Sequence, residues 1–212
     1  MDSLINRVES LKSSEISKTI HMRIAEFKSL GKNGSEDKLF SELCFCILTA
    51  NFQAEKSMKI QSGIGVGFLT LSEMDLAIQL RLSGHRFPNT RAKYIVEARK
   101  HAGGLRKILG EYSSSETGLR DRIVKDVKGL GYKEASHFMR NIGYENVAII
   151  DFHIIDILAD NKLIERPKSK SLTRKKYLEI EIILEKIAEN ARLTLAELDL
   201  YLWYLETRTV LK

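Results

Sequence analysis

VKGLGYKEASHFMRNIGYENVAIIDFHIID, residues 127–156, decides how the rest of the chain is read. Just ahead of it, LRDRIVKDVK (119–128) carries Leu119, Ile123, Val124 and Val127 at the spacing of one helical face. Gly129-Leu130-Gly131 then permits a very tight turn, because glycine adopts positive φ at little steric cost. A second helical pattern sets Ala135, Phe138, Met139 and Ile142 on one side and stops at Gly143. The unit over 119–143 reads helix, hairpin, helix. Such a hairpin is expected to leave the N–H groups of Gly131, Tyr132 and Lys133 free at a helix start, where free N–H groups bind phosphate. The bare glycines would also let a nucleic-acid backbone come close.

Two side chains of this stretch look chemical. Lys133 sits in the first turn of the second helix, where a cation opposes the helix dipole and loss of its proton is favoured. Eighteen residues later Asp151 ends the apolar run VAII (147–150) and opens the helical pattern DFHIIDILAD. Each alone has an ordinary reading, a solvated lysine and an N-capping aspartate. Their placement on one hairpin motif shifts the weight toward chemistry.

The bounds fit a small helical protein. At 212 residues the chain makes one compact domain or two packed lobes. Hydrophobic residues make up 43% of it, enough for a core, and only two prolines interrupt frequent helical periodicity, so an all-α fold is expected. Lys plus Arg exceed Asp plus Glu, 34 − 28 = 6, a weak pointer to nucleic acid. With no apolar run of membrane-spanning length and no signal-peptide pattern, a cytoplasmic protein is expected. Cys44 and Cys46 lie two apart in an apolar helix, so they point to different faces and are expected to be reduced and structural. Two thiols cannot hold a four-cysteine iron–sulfur cluster. GIGVG (63–67) follows no strand and lacks the context of a nucleotide-binding loop.

In chain order, 4–30 reads as one or two helices with Leu4, Val8, Leu11, Ile20, Ile24 and Phe27 inward, and 31–34 reads as a turn. After a helix start at 35–38, LFSELCFCILTA (39–50) is apolar nearly all round and is expected to be central. Helices follow over 54–60, 72–82 and 91–100, with a loop at 84–89. Arg86, Arg91 and Lys93 form a charge cluster that is either a solvated face or a nucleic-acid contact. Phe87, between Arg and Pro, is a core plug or a stacking platform. Ser113-Ser114-Ser115 is the most linker-like stretch. Beyond the hairpin unit, NKLIERPKSKS (161–171) is a basic loop; Lys168, Lys170, Arg174, Lys175 and Lys176 are phosphate contacts or solvated charges. Amphipathic helices span 177–190 and, from about Thr194, the segment through Asp199 and Trp203 to about Leu205.

The words LCFCILTAN (43–51), GHRF (84–87), GLGYKEASHF (129–138), NIGY (141–144), AIID (148–151) and ELDLYLWYL (197–205) carry a resemblance. They resemble the helix-hairpin-helix DNA glycosylases that use a catalytic lysine, and among these the archaeal-type (type 2) 8-oxoguanine DNA glycosylase/AP lyases. The resemblance runs from about Leu4 to Lys212. It implies an all-α, two-lobed helix-hairpin-helix glycosylase fold without an N-terminal β domain. One unit would span 1–212, with a middle lobe over about 35–155 and the other lobe built from the N-terminal segment and about 156–212.

The resemblance also implies damaged double-stranded DNA as partner; the lysine chemistry it suggests needs no metal or organic cofactor, and a monomer is expected. Lys133 would attack the sugar and Asp151 would stabilise the developing charge, orient the amine or assist proton transfer. Asn51 and Phe52 would enter the duplex beside a flipped nucleotide, and Arg86, Lys128, Gly129, Gly131 and Tyr132 would complete the DNA contacts. Phe87 and Trp203 would sandwich the base, with His137, one turn after Lys133, and Lys212 lining its pocket. Val210 and Leu211 would anchor the tail, and either the Lys212 amine or its α-carboxylate would read the base. Only a carboxylate accepts the N7–H of 8-oxoguanine. Two departures stand out: Lys128 where many superfamily members carry proline, and Phe152 where close relatives carry a basic residue. A non-enzymatic DNA-gripping module and a glycosylase for another lesion remain the competing readings.

Overall fold

The computed structural model describes residues 1–112, 114–167, 169 and 171–212, and among them the fold is all-helical. The N-terminal half comprises α1 (Asp2–Lys12), α2 (Ile16–Asn33), α3 (Glu36–Thr49), α4 (Ala54–Ile64), α5 (Gly67–Thr70), α6 (Glu73–Leu82) and α7 (Pro88–Ala98). A 3-10 turn at Arg99–His101 leads into α8 (Leu105–Glu111), α9 (Glu116–Asp126), α10 (Tyr132–Asn141), α11 (Phe152–Asp160), α12 (Arg174–Ala191) and α13 (Leu195–Thr207). Short polar side chains start many of these helices. Ser35, Ser72, Ser115, Asp151, Thr173 and Thr194 each accept the backbone N–H three residues on. Of the serine run expected to be a linker, Ser115 is therefore the cap of α9, and Ser113 lies outside the described residues.

Two expected boundaries move. The segment 31–34 does not turn, because α2 runs on to Asn33. A Cβ on Gly31 would sit 1.8 Å from the Ile142 carbonyl oxygen, so this glycine lets α2 cross the end of α10 at backbone contact. Helix α7 starts at Pro88, not at 91, since proline is tolerated at the first helical position.

Buried side chains form two clusters. One surrounds α3, whose residues from Leu43 to Thr49 are all buried, and includes Phe68, Leu80, Ile95, Phe138 and Met139. The other joins α1 and α2 to α11, α12 and α13 through Phe27, Ile154, Leu158, Leu184 and Leu198. Each fully buried side chain of this size contributes about 1.5–3 kcal/mol. Cys44 and Cys46 are free and wholly buried within the first cluster, and burial raises both thiol pKa values.

The apolar run before Asp151 has no regular structure, so its backbone groups need side-chain partners. Glu181 accepts the Ala148 N–H at 2.8 Å, and the Tyr177 hydroxyl donates to the Ala148 carbonyl at 2.7 Å while accepting from Ile150 N–H at 3.2 Å. Glu181 is in turn gripped by both terminal nitrogens of the buried Arg120, at 2.5 and 2.7 Å. Helices α9 and α12 thus clamp the strand-like link that delivers Asp151. No helix among the described residues is long and apolar enough to cross a membrane.

Candidate active site

Lys133 and Asp151 meet on the wall of a cavity of about 1140 Å³. The hairpin unit, the end of α3, the head of α11 and helix α13 enclose it. Lys133 is the second residue of α10, and the turn before it explains its position. Gly129 has φ +93°, and a Cβ there would lie 2.3 Å from the Tyr94 ring, so glycine is required both by conformation and by space. The space that a Gly129 side chain would take is filled by Tyr94. Leu130 is buried as the plug of the turn. Gly131 has an ordinary φ of −92°, and its N–H is not free: Glu134 Oε2 accepts it at 3.2 Å. The first-turn N–H groups of Tyr132 and Lys133 have no earlier helical carbonyl to bond.

The Lys133 side chain is partly buried, with Nζ 3.6 Å from Glu134 Oε1. Asp151 is the N-cap of α11, its Oδ1 accepting the Ile154 N–H at 3.0 Å. The ordinary capping role is therefore real, and Oδ2 has no hydrogen-bond partner among the described residues.

His137 also lines the cavity and is buried, with its ring edge-on to Phe45 at 5.4 Å. Burial, then the charges of Arg140 and Lys133, hold the imidazole well below its usual pKa, so it is neutral. The backbone of Lys212 stands beside this ring, and the buried Trp203 Nε1 has no hydrogen-bond partner among the described residues. Trp203 stands in the wall, its ring against His153 at 4.9 Å. Lys212 is in the wall too, but its ammonium is turned into the protein. Nζ donates to Glu42 Oε2 at 2.8 Å and to Gln61 Oε1 at 2.5 Å, 4.3 Å from the centroid of Phe45.

The other expected contacts divide. Asn51, in the left-handed region at φ +57°, lines the cavity with Phe52, Arg86, Gly131 and Tyr132. Phe52 stacks on His85 at 4.2 Å. Phe87 does not line the cavity: it is the N-cap residue of α7, and the guanidinium groups of Arg86 and Arg91 flank its ring at 5.1 and 5.8 Å. Lys128 and Gly129 also lie off the wall, with Lys128 Nζ 3.6 Å from Glu97. Arg91 is neither solvated nor in the wall, because it donates from the interior to the Ala50 carbonyl at 2.5 Å and closes the end of α3. Arg174 is committed to the Tyr132 hydroxyl at 2.6 Å and to Asp121 at 2.9 Å. Lys176 faces Glu179 at 3.3 Å and Lys175 is exposed, whereas Lys168 and Lys170 lie outside the described residues.

Sequence reading missed three polar residues here. Asp199 and Arg140 line the cavity as a pair, Nη1 to Oδ2 2.5 Å, both largely buried. Burial raises Asp199 to about 6, the nearby Asp151 adding to the rise and Arg140 and Lys133 opposing it. Glu42, buried in α3, accepts Lys212, Gln61 Nε2 at 3.1 Å and Asn141 Nδ2 at 2.6 Å. The available signal was a carboxylate inside an otherwise apolar helix, which demands partners.

Comparison with known proteins places this architecture. A family model described as 8-oxoguanine DNA glycosylase matches residues 20–193. An 8-oxoguanine DNA glycosylase/AP lyase of Korarchaeum cryptofilum is 51% identical over 212 residues, covering 100% of this chain and 99% of the relative. The crystal structure of the Methanocaldococcus jannaschii 8-oxoguanine glycosylase/lyase in complex with a 15mer DNA containing 8-oxoguanine superposes with a TM-score of 0.95 at 51% identity, covering 99% of this chain and 100% of that one. The Thermotoga maritima 8-oxoguanine DNA glycosylase gives 0.92 at 42% identity, covering 100% and 99%.

Proposed function

The chain belongs to the 8-oxoguanine DNA glycosylase family, and from that premise we propose that it removes 8-oxoguanine from DNA through a lysine Schiff base and then nicks the strand. The observation that carries the reading is the convergence of Lys133 and Asp151, eighteen residues apart in sequence, on one cavity with room for an extruded nucleotide.

The target nucleotide must leave the stack to be reached. First-turn N–H groups of α10 hold the adjacent phosphate, which positions the protein without reading sequence. The neutral amine of Lys133 attacks the sugar C1′. The C1′–N bond forms as the bond to the base breaks, and the base leaves with the electron pair and takes up a proton. Asp151, whose Oδ2 is uncommitted, stabilises the positive charge that develops on the sugar. Ring opening gives an iminium, which acidifies the C2′ hydrogen. Loss of that proton expels the 3′ phosphate, and water then releases Lys133.

Selectivity for the oxidised base needs an acceptor facing N7–H, because guanine presents a lone pair there. The neutral ring of His137 stands in the wall beside Lys212 and Trp203, and with the Lys212 ammonium spent on Glu42 and Gln61 the α-carboxylate of Lys212, an acceptor only, is the group of this corner that suits N7–H. Lys212, held by Glu42 and Gln61, shapes this end of the pocket.

Borohydride reduction on a duplex containing 8-oxoguanine opposite cytosine tests the reading. A covalent adduct with wild type and none with Lys133→Gln is expected. Tight binding of the duplex by wild type without an adduct would leave a DNA-gripping module, and an adduct only with other lesions would reassign the substrate.

A further inference from the structure

The cavity lies between two helices that belong to different buried clusters. Helix α10 carries Lys133 and packs with α3, whereas α13 carries Trp203 and packs with α2 and α11. Arg140 sits seven residues after Lys133, two turns on and on the same face. Asp199 sits four residues before Trp203, again on the same face. Their ion pair therefore spans from the lysine helix to the tryptophan helix within the cavity wall. Arg140 is fixed further by its Nε bond to Asn141 Oδ1 at 3.1 Å and by the Phe27 ring, 5.0 Å from its guanidinium.

We infer that Arg140 and Asp199 are positioning residues, a bolt that sets the gap between Lys133 and Trp203, and that base excision requires Asp199 in its ionised form. The proposal rests on the lysine chemistry above. A buried ion pair is weak evidence of stabilisation, because an apolar pair of similar volume often serves as well, so its place in the cavity wall points to a placement role. An error of about 1 Å in placing a nucleophile costs on the order of 100-fold in rate.

The charges around the bolt make it responsive to pH. Lys133 on α10 and Asp151 at the head of α11 act on Asp199, while Glu42 and Cys46 on α3 and Arg23 on α2 act on Arg140. With Asp199 titrating at about 6, acidification through that value neutralises the bolt. The folded pKa lies above the ordinary carboxylate value, so the folded state holds this proton more tightly than the unfolded chain. Stability from Asp199 therefore rises, not falls, as pH drops through 6 toward 4. An acid loss of activity through this group is then separable from acid unfolding.

The test is single-turnover base release on 8-oxoguanine duplex, from pH 5 to 8, with DNA affinity and melting followed in parallel. For Asp199→Asn we expect release slowed on the order of 100-fold at pH 7.5, affinity for DNA kept, and the acid limb near pH 6 flattened. The doubly apolar variant Arg140→Met with Asp199→Leu is expected to stay folded and to be as slow, which carries the test should Asp199→Asn fold poorly. Because the Lys133 amine must also lose its proton, the readout is the extra steepening of the rate profile below about pH 6; its persistence in Asp199→Asn, or a wild-type rate in either folded variant, overturns the bolt. A wild type that gives no borohydride adduct overturns instead the lysine chemistry on which it stands.

Discussion

The two sides of the cavity are built by different physics. The hairpin side is local: Gly129, Leu130, Gly131 and Glu134 fix Lys133 through a positive φ, a buried plug and one capping bond, all within six residues. The opposite side is assembled by polar pairs between residues remote in sequence. Arg140 reaches Asp199 across 59 positions, Asn141 reaches Glu42 across 99, and Lys212 reaches Glu42 across 170. A local device positions an exposed-side group cheaply in entropy, since few residues need ordering. A long-range device shapes a wall only after both buried clusters are formed, and each of its charges is unpaired if one partner is lost. The hairpin side is therefore expected to fail in chemistry alone, whereas the opposite side fails in stability and selectivity through the clasp that Glu42 makes on Lys212 and Asn141, and in catalytic placement through Arg140 and Asp199.

The sharpest separation comes from Lys133→Gln, which should abolish base release, nicking and borohydride trapping while duplex affinity and melting stay near wild type. A large loss of melting temperature would merge the two sides into one structural unit. Next in size is Asp151→Asn. Asn caps a helix about as well as Asp, so the Ile154 N–H keeps its acceptor and stability should shift by less than about 0.5 kcal/mol. The excision rate should nevertheless fall on the order of 100- to 1000-fold, the usual loss on removing one group that meets developing charge. A wild-type rate would reduce Asp151 to a cap.

On the clasp side, Glu42→Ala leaves the part-buried Lys212 ammonium with Gln61 alone and removes the acceptor of the buried Asn141 amide. Leaving a buried polar group without its partner costs about 1–3 kcal/mol, so a drop in the urea midpoint is expected. Preference for 8-oxoguanine over guanine should narrow, while cleavage of a preformed abasic site by the surviving folded protein should change least. An unshifted midpoint would show that the clasp is dispensable for folding.

The same contrast governs what was legible in the sequence. Lys133, Asp151 and the hairpin could be read because glycine spacing, helical period and capping chemistry are local patterns. The all-helical class followed from the same periodicities. Arg140 and Asp199 could not, since nothing near either names its partner, and Glu42 in its apolar helix signals that partners are needed without naming them. Gly31 misled for a related reason: beside Asn33 and Gly34 it reads as a turn, yet it marks a close crossing with a carbonyl more than a hundred residues away. Phe87 and Trp203 looked equivalent as aromatic platforms, but only Trp203 lies in the wall, because Phe87 heads α7 between two arginines.

The smallest expected effect concerns Lys128, which stands beside the hairpin but off the cavity wall. Its Nζ is 3.6 Å from Glu97 and 5.8 Å from the centre of the Tyr94 ring, and more than half of its side chain is exposed. An exposed pair of this kind contributes about 0–1 kcal/mol and is screened by salt, so Lys128→Ala should leave melting nearly unchanged. Its position at the turn, three residues before the Gly131 N-cap of α10, still suits a phosphate on the flank of the hairpin grip. Neutralising one phosphate contact lowers the slope of log affinity against log salt by about 0.9. We therefore expect Lys128→Ala to bind duplex a few-fold more weakly at low salt, with the slope reduced by about that amount and single-turnover excision at saturating enzyme unaltered. An unchanged slope assigns Lys128 to Glu97 and Tyr94 alone, and it leaves the first turn of α10 as the phosphate grip on that side.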